Sequence, residues 1–327
     1  MKVQELRNLL SSSDREHLEK AFVECYKQLR KGQKEEIDQG LIDLLQGRAV
    51  EQRKAEDSVN FEELEQQIVI FLQNAYEQNY FAPNRVIPKN QRPKWRFMVK
   101  NFIKELEKIP PESGNYPQAV KLLTDLYCLL CRACQIYLFS TEDPFRSIGW
   151  GQSKLFALLV SKTFAAGYSR ESISNLLLYA ATGGLSRESL YIEQELALLN
   201  GLRTSDVKYM AMEEAQKLVE ERTGRLAALK QNDNRRYDLR EAVNELCNMI
   251  LLISISLAEP EKGVEYYFKH SMERDREITL YRALEIVDIM DEDDLWLKVY
   301  EYGVRKKIRP RERLRQMYEE RKRQSGG

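Results

Sequence analysis

Three cysteines, Cys128, Cys131 and Cys134, stand in a C-x2-C-x2-C run, which is how many iron–sulfur ligand sets begin. The ferredoxin pattern requires a fourth cysteine followed by proline, and those positions hold Leu138 and Phe139. On a helix, residues three apart advance by 300°, so the three thiols share about 120° of one face. They lie among Leu126, Leu129, Leu130, Ile136 and Leu138. Small side chains in an apolar stripe read as core packing, and no metal or cofactor is assigned to them. The two histidines, His17 and His270, belong to no H-E-x-x-H or E-x-x-H array. A G-x-x-x-x-G-K-[ST] loop, a G-x-G-x-x-G turn and a G-x-S-x-G elbow are also missing, so no catalytic residue is assigned. The acidic group Asp288, Asp291, Glu292, Asp293 and Asp294 lacks the alternation and central glycine of a calcium loop. It reads as a turn whose aspartates cap the helix carrying Leu295, Trp296, Val299 and Tyr300.

Binding is better represented than catalysis. Gly149-Trp150-Gly151 sets an indole between two flexible residues just before a helix. With Tyr168, Tyr191 and Tyr209, Trp150 makes the candidate contact set for a protein partner. The carboxyl end carries Arg305, Lys306, Lys307, Arg309, Arg311, Arg313, Arg315, Arg321, Lys322 and Arg323 against Glu312, Glu319 and Glu320. Such an excess neutralises phosphates in a salt-sensitive way, docks on an acidic protein surface, or belongs simply to a solvated last helix. Its first seven cations form the alternative, nucleic-acid-binding set. A second basic and aromatic cluster, Lys89, Arg92, Lys94, Trp95, Arg96, Phe97 and Lys100, has the mixture that single-strand binders use.

The elements that must position these residues are helices. Gly167-Tyr168-Ser169-Arg170-Glu171-Ser172-Ile173 returns 17 residues later as Gly184-Leu185-Ser186-Arg187-Glu188-Ser189-Leu190, with a weaker copy from Gly201 to Val207. Glycine closes one helix, serine caps the next, and glutamate sits in the positively polarised first turn. The spacing leaves about 12 residues, or about 18 Å, for each intervening helix. Apolar residues recur at helical spacing elsewhere too, as in the segment from Ser13 through Leu29, which is expected to bury Leu18, Phe22, Cys25 or Tyr26, and Leu29 behind a Ser13–Glu16 capping box. The predicted fold is all-α, an α-solenoid or irregular array of short antiparallel helices. Its parts are an N-terminal helical segment (1–47), a charged linker (48–60), a helical pair (61–109), a main array (118–304) and a basic final helix (305–327). The prolines between Pro110 and Pro117 mark the expected boundary between two halves.

Composition agrees. Among 327 residues, 31% are charged, with 51 Lys plus Arg balancing 51 Asp plus Glu, and Gly (15) and Pro (9) are few. No global field draws such a chain onto nucleic acid or an anionic membrane. The most apolar run, from Leu246 to Ala258, is shorter than the roughly 20 residues a membrane span needs and reads as a buried core helix. The charged start, with Lys2, Glu5 and Arg7, offers no signal core, and five cysteines without one read as reduced thiols, so a cytoplasmic location is expected. The opening Lys2-Val3-Gln4-Glu5-Leu6, the capped helix through Tyr26 and the Glu142-Asp143-Pro144-Phe145 corner resemble an uncharacterised bacterial all-helical family, known as a domain of unknown function. The resemblance implies a bacterial helical protein and no activity. Together these observations predict a non-enzymatic scaffold that binds a protein partner in a groove of stacked helices. Nucleic-acid binding through the basic end is the alternative, and an enzyme without recognisable motifs stands third.

Overall fold

Helical periodicity is realised throughout: among the described residues every regular element is helical and no strand occurs. The structure, a computed structural model, describes residues 10–29, 34, 41–42, 45 and 60–325. The chain divides into two units, residues 1–60 and 61–327. In the first, α1 (Arg15–Gln28) is capped by Asp14, not Ser13. The Asp14 carboxylate accepts from the backbone N–H of His17 at 2.9 Å and meets His17 Nδ1 at 2.6 Å, two contacts that a serine hydroxyl cannot match. The expected burial along α1 does not occur. Leu18, Tyr26 and Leu29 are half-buried and Phe22 and Cys25 are exposed, and no described residue of this unit is buried. The helices expected over Val3–Leu10 and 34–45 and the linker at 48–60 lie outside the described residues, apart from Leu10, Lys34, Leu41, Ile42 and Leu45, which are helical, and Asn60.

In the second unit, α2 (Phe61–Tyr76) buries Leu64, Ile68, Phe71 and Ala75, and α3 (Trp95–Lys108) buries Trp95, Val99, Phe102, Ile103 and Leu106. These one-sided stripes close on α4 (Tyr116–Gln135). Trp95 stacks on Phe139 at 3.9 Å between ring centres, which places part of the second basic and aromatic cluster in the core. The proline-rich stretch from Pro110 to Pro117 lies inside this unit. It is held by Lys162, whose Nζ donates to the Ile109 carbonyl at 2.7 Å, while the Tyr116 hydroxyl donates to the Lys162 carbonyl, also at 2.7 Å.

A short α5 (Pro144–Ile148) leads to α6 (Gln152–Ala165), α7 (Arg170–Ala181), α8 (Tyr191–Gly201) and α9 (Ser205–Ala228). Next comes α10 (Arg235–Ser256), buried without a break from Met249 to Ile255, as its apolar run requires. It packs against α7, α8, α9, α11 (Pro260–His270) and α12 (Arg276–Ile289). In a regular solenoid each layer touches only its neighbours, whereas here one apolar helix serves five. The chain ends in α13 (Asp293–Arg305) and α14 (Glu312–Ser325). No helix of the described residues is long and apolar enough to cross a membrane.

The repeated glycine corners do not repeat in space. Gly167 has φ +111° and Ser169 caps α7, accepting from the Ser172 N–H at 3.1 Å, as the pattern predicts. At the second copy the positive φ belongs to Gly183. Gly184 is a contact residue: a Cβ there would lie 2.1 Å from the Cys131 carbonyl oxygen. Ser186 caps nothing. It is buried, its hydroxyl donating to Asp143 and accepting from the Glu188 N–H at 3.4 Å in a local turn, and α8 starts only at Tyr191. Gly201 is the last residue of α8, where a Cβ would meet Val160, and Thr204 caps α9.

Candidate functional site

The Asp143 corner shows what most buried polar groups in this unit do. Asp143 accepts from the Arg146 N–H at 3.0 Å, capping α5, and from the Ser186 hydroxyl at 2.7 Å and the Arg187 N–H at 3.1 Å. Gln152 completes the bridge, donating to the Gly184 carbonyl at 3.0 Å and accepting from the Ser186 N–H at 2.7 Å. Apart from the local cap at Arg146, each of these bonds ties one chain segment to another, and all are spent within the fold.

The predicted partner set behaves similarly. Trp150 is half-buried at the turn between α5 and α6, after Gly149 at φ +70°. The Tyr168 hydroxyl donates to the Gly201 carbonyl at 3.0 Å, that of Tyr191 to the Gly183 carbonyl at 2.7 Å, and that of Tyr209 to Glu259 at 3.0 Å. The four residues occupy four different corners, and their hydroxyls are committed within the fold. Cys131 is buried, and Cys128 and Cys134 are half-buried. Burial pushes the Cys128 thiol up to about 11 and that of Cys134 up to about 12, so both remain protonated and poor ligands. Among the described residues no three His, Cys, Asp or Glu side chains converge to hold a metal ion.

An open groove lies between α11 and α13. Helix α11 turns Gly263, Val264 and Tyr267 inward. Gly263 allows close approach to α10, since a Cβ there would stand 2.5 Å from that of Ser254. Helix α13 buries Leu295, Trp296, Val299 and Tyr300. Two depressions of about 500 and 320 Å³ adjoin along the line between them, both lined by Glu265 and Tyr302. The larger adds Phe268, Lys269, Glu273, Arg276 and Lys306, and the smaller adds Glu261, Val264, Leu295, Lys298 and Arg305. Phe268 meets the Tyr302 ring edge-on at 5.1 Å, and Arg305 and Lys306 reach over that ring at 5.9 and 5.3 Å. The groove therefore has an aromatic and aliphatic floor and a rim of five cations and three carboxylates. Among the described residues none of those five cations is in an ion pair, so their charge is available to something outside the fold.

The basic carboxyl end divides into three fates. Arg305 and Lys306 line this groove. Arg311 pairs with Glu277 at 3.2 Å and Arg315 with Glu312 at 3.2 Å. Lys307, Arg309 and Arg313 are exposed. The end is no loose arm, since Leu314 is buried and Tyr318 stacks on Tyr300 at 4.3 Å. Arg321 lies over Trp296 at 4.5 Å and reaches Asp288 at 2.6 Å and Asp293 at 2.9 Å. The acidic turn thus serves as counter-charge for Arg321. It does not cap α13 through a side chain: Glu292 holds the cap position without a side-chain bond, and Asp293 in the first turn pairs with Arg321. Sequence reasoning found both charged segments and missed that they pair.

Comparison with known proteins finds no matching family model, no matching curated protein and no matching solved structure.

Proposed function

We propose that this chain is a non-enzymatic adaptor that holds an amphipathic segment of a partner protein in the groove between α11 and α13. The observation that carries the reading is the Tyr302 ridge, where two adjoining depressions share an apolar floor beneath cations that are in no ion pair among the described residues. A segment with apolar residues on one face and acidic residues beside it complements that surface: the rings and aliphatic side chains supply affinity, and the charges supply register. The excess of cations over carboxylates at the rim favours an acidic partner. Nucleic acid fits this surface less well, because Glu261, Glu265 and Glu273 would face the phosphates and Arg311, Arg315 and Arg321 already have carboxylate partners. The cytoplasm suits the reading, since it keeps the five free cysteines reduced.

The test is recovery of partners on full-length protein, with and without nuclease, for the wild type, for Tyr302→Ala combined with Lys298→Glu, and for Trp150→Ala combined with Tyr209→Ala. Recovery of one protein, insensitive to nuclease and reduced by about tenfold or more in the Tyr302/Lys298 variant alone, is the expected result. Loss on nuclease treatment, or loss only in the Trp150/Tyr209 variant, would move the function to the basic end or to the helix corners.

A further inference from the structure

Glu195 on α8 is fully buried, and no donor reaches either of its carboxylate oxygens. Its nearest charged neighbour is Glu245 on α10, another carboxylate largely withdrawn from water. Burial, and then the charge of Glu245, holds the Glu195 carboxyl well above the ordinary range, so it keeps its proton and shares it with Glu245. Asn248 donates to Glu245 at 2.9 Å, but its own amide oxygen is buried without a partner. Arg282 acts on both carboxyls, but its guanidinium also bonds Glu285 at 3.0 Å and so divides its charge. Apart from Arg282, the charged surroundings are acidic. Asp238 and Glu241 come from α10 and Glu273 from the turn before α12, and the hydroxyls of Tyr191 and Tyr267 also face this charge.

Glu245 and Asn248 open onto a cavity of about 120 Å³ between α8, α10 and α12. Its remaining wall joins the aliphatic Ile192, Ile286 and Ile289 to the paired Arg282 and Glu285, and Leu190 stands at the mouth with 64% of its surface exposed. A cavity of about 150 Å³ admits benzene, so this smaller one suits a slim chain of about five or six heavy atoms.

We propose that this cavity is a binding site for a small primary alkylammonium ion, its nitrogen at the Glu195–Glu245 carboxyl pair and its chain against Ile192, Ile286 and Ile289. The proposal does not depend on the partner groove. An ammonium group brings three donors and one positive charge, which answer the donorless oxygens of Glu195, the Asn248 oxygen and the excess negative charge. The aliphatic wall answers the chain. A carboxylate or phosphate ligand would face carboxylates, and a wholly apolar one would leave the acceptors unanswered.

Isothermal titration of the full-length protein with n-pentylammonium chloride tests this, with n-pentanol as the uncharged analogue of equal length. Saturable one-site binding of the amine is expected, weaker by about tenfold or more for pentanol and for Glu245→Gln. A Leu190→Trp variant, altered only at the exposed mouth, should also lose affinity and keeps the test available if Glu245→Gln does not fold. Absence of saturable amine binding, equal binding of amine and alcohol, or unchanged affinity in these variants would overturn the assignment.

Discussion

Two buried acidic clusters lie within one helical unit and have opposite bonding. Asp143 is surrounded by donors: two backbone N–H groups and the Ser186 hydroxyl reach its carboxylate. Glu195 is more deeply buried and receives none. A buried carboxylate with all its acceptors answered acts as a structural rivet, because losing it strands each donor. One left unanswered beside a cavity disfavours the closed structure unless it keeps a proton or meets a ligand. The difference separates a residue that builds the fold from one that is available to it.

The Asp143 side of the comparison should break most severely. Gly184→Val places new carbons against the Cys131 carbonyl and is expected to cost about 3 kcal/mol or more in denaturant unfolding. Gly167→Ala, at φ +111° with nothing within 4 Å, should cost only about 1–2 kcal/mol of backbone strain, which would separate two glycines of one repeat. Asp143→Ala removes a helix cap and two bonds to the Ser186 loop, a loss of about 2–3 kcal/mol. Ser186→Ala should cost about 1–2 kcal/mol and Ser169→Ala about 1 kcal/mol, the buried serine exceeding the exposed cap despite identical sequence context. Equal effects at Ser169 and Ser186 would mean that the Asp143 network adds nothing to an ordinary corner.

Much of this was legible in the chain. Helical periodicity predicted the all-α fold, and the apolar run after Leu246 predicted the central helix, because both depend on local pattern. The corner at Gly167 was legible for the same reason. The one at Gly184 was not. Its serine is claimed by Asp143, which is 43 residues away, and its loop by Gln152, 34 residues away, and nothing within the heptapeptide records those partners. The pairing of Arg321 with Asp293, 28 residues apart, is likewise absent from any local pattern, so the acidic turn reads as a set of helix caps and the basic end as a final helix with its charge unanswered. The Tyr302 groove and the Glu195–Glu245 pair each need two or three helices to meet. A glutamate among apolar residues on a short helix, as at Glu195, was the one available signal for the pair, and it is weak because most such residues face water.

Stability against pH bears most directly on the division of labour between the two clusters. Glu195 has a raised folded-state pKa, so above its ordinary 4.5 the folded protein holds a proton that the unfolded chain has lost. Stability must then fall as pH rises, by up to about 1.4 kcal/mol per unit for one such group, until the folded carboxyl also ionises. Glu195→Gln keeps the shape of the protonated acid and removes its titration. Denaturant unfolding of both proteins from about pH 5 to pH 8 isolates the titration of the Glu195–Glu245 pair, because groups that do not interact with it cancel in the difference. The expected result is a variant that gains on the wild type progressively as pH increases. Parallel curves across that window would contradict it, showing that Glu195 is ionised and its charge answered within the fold.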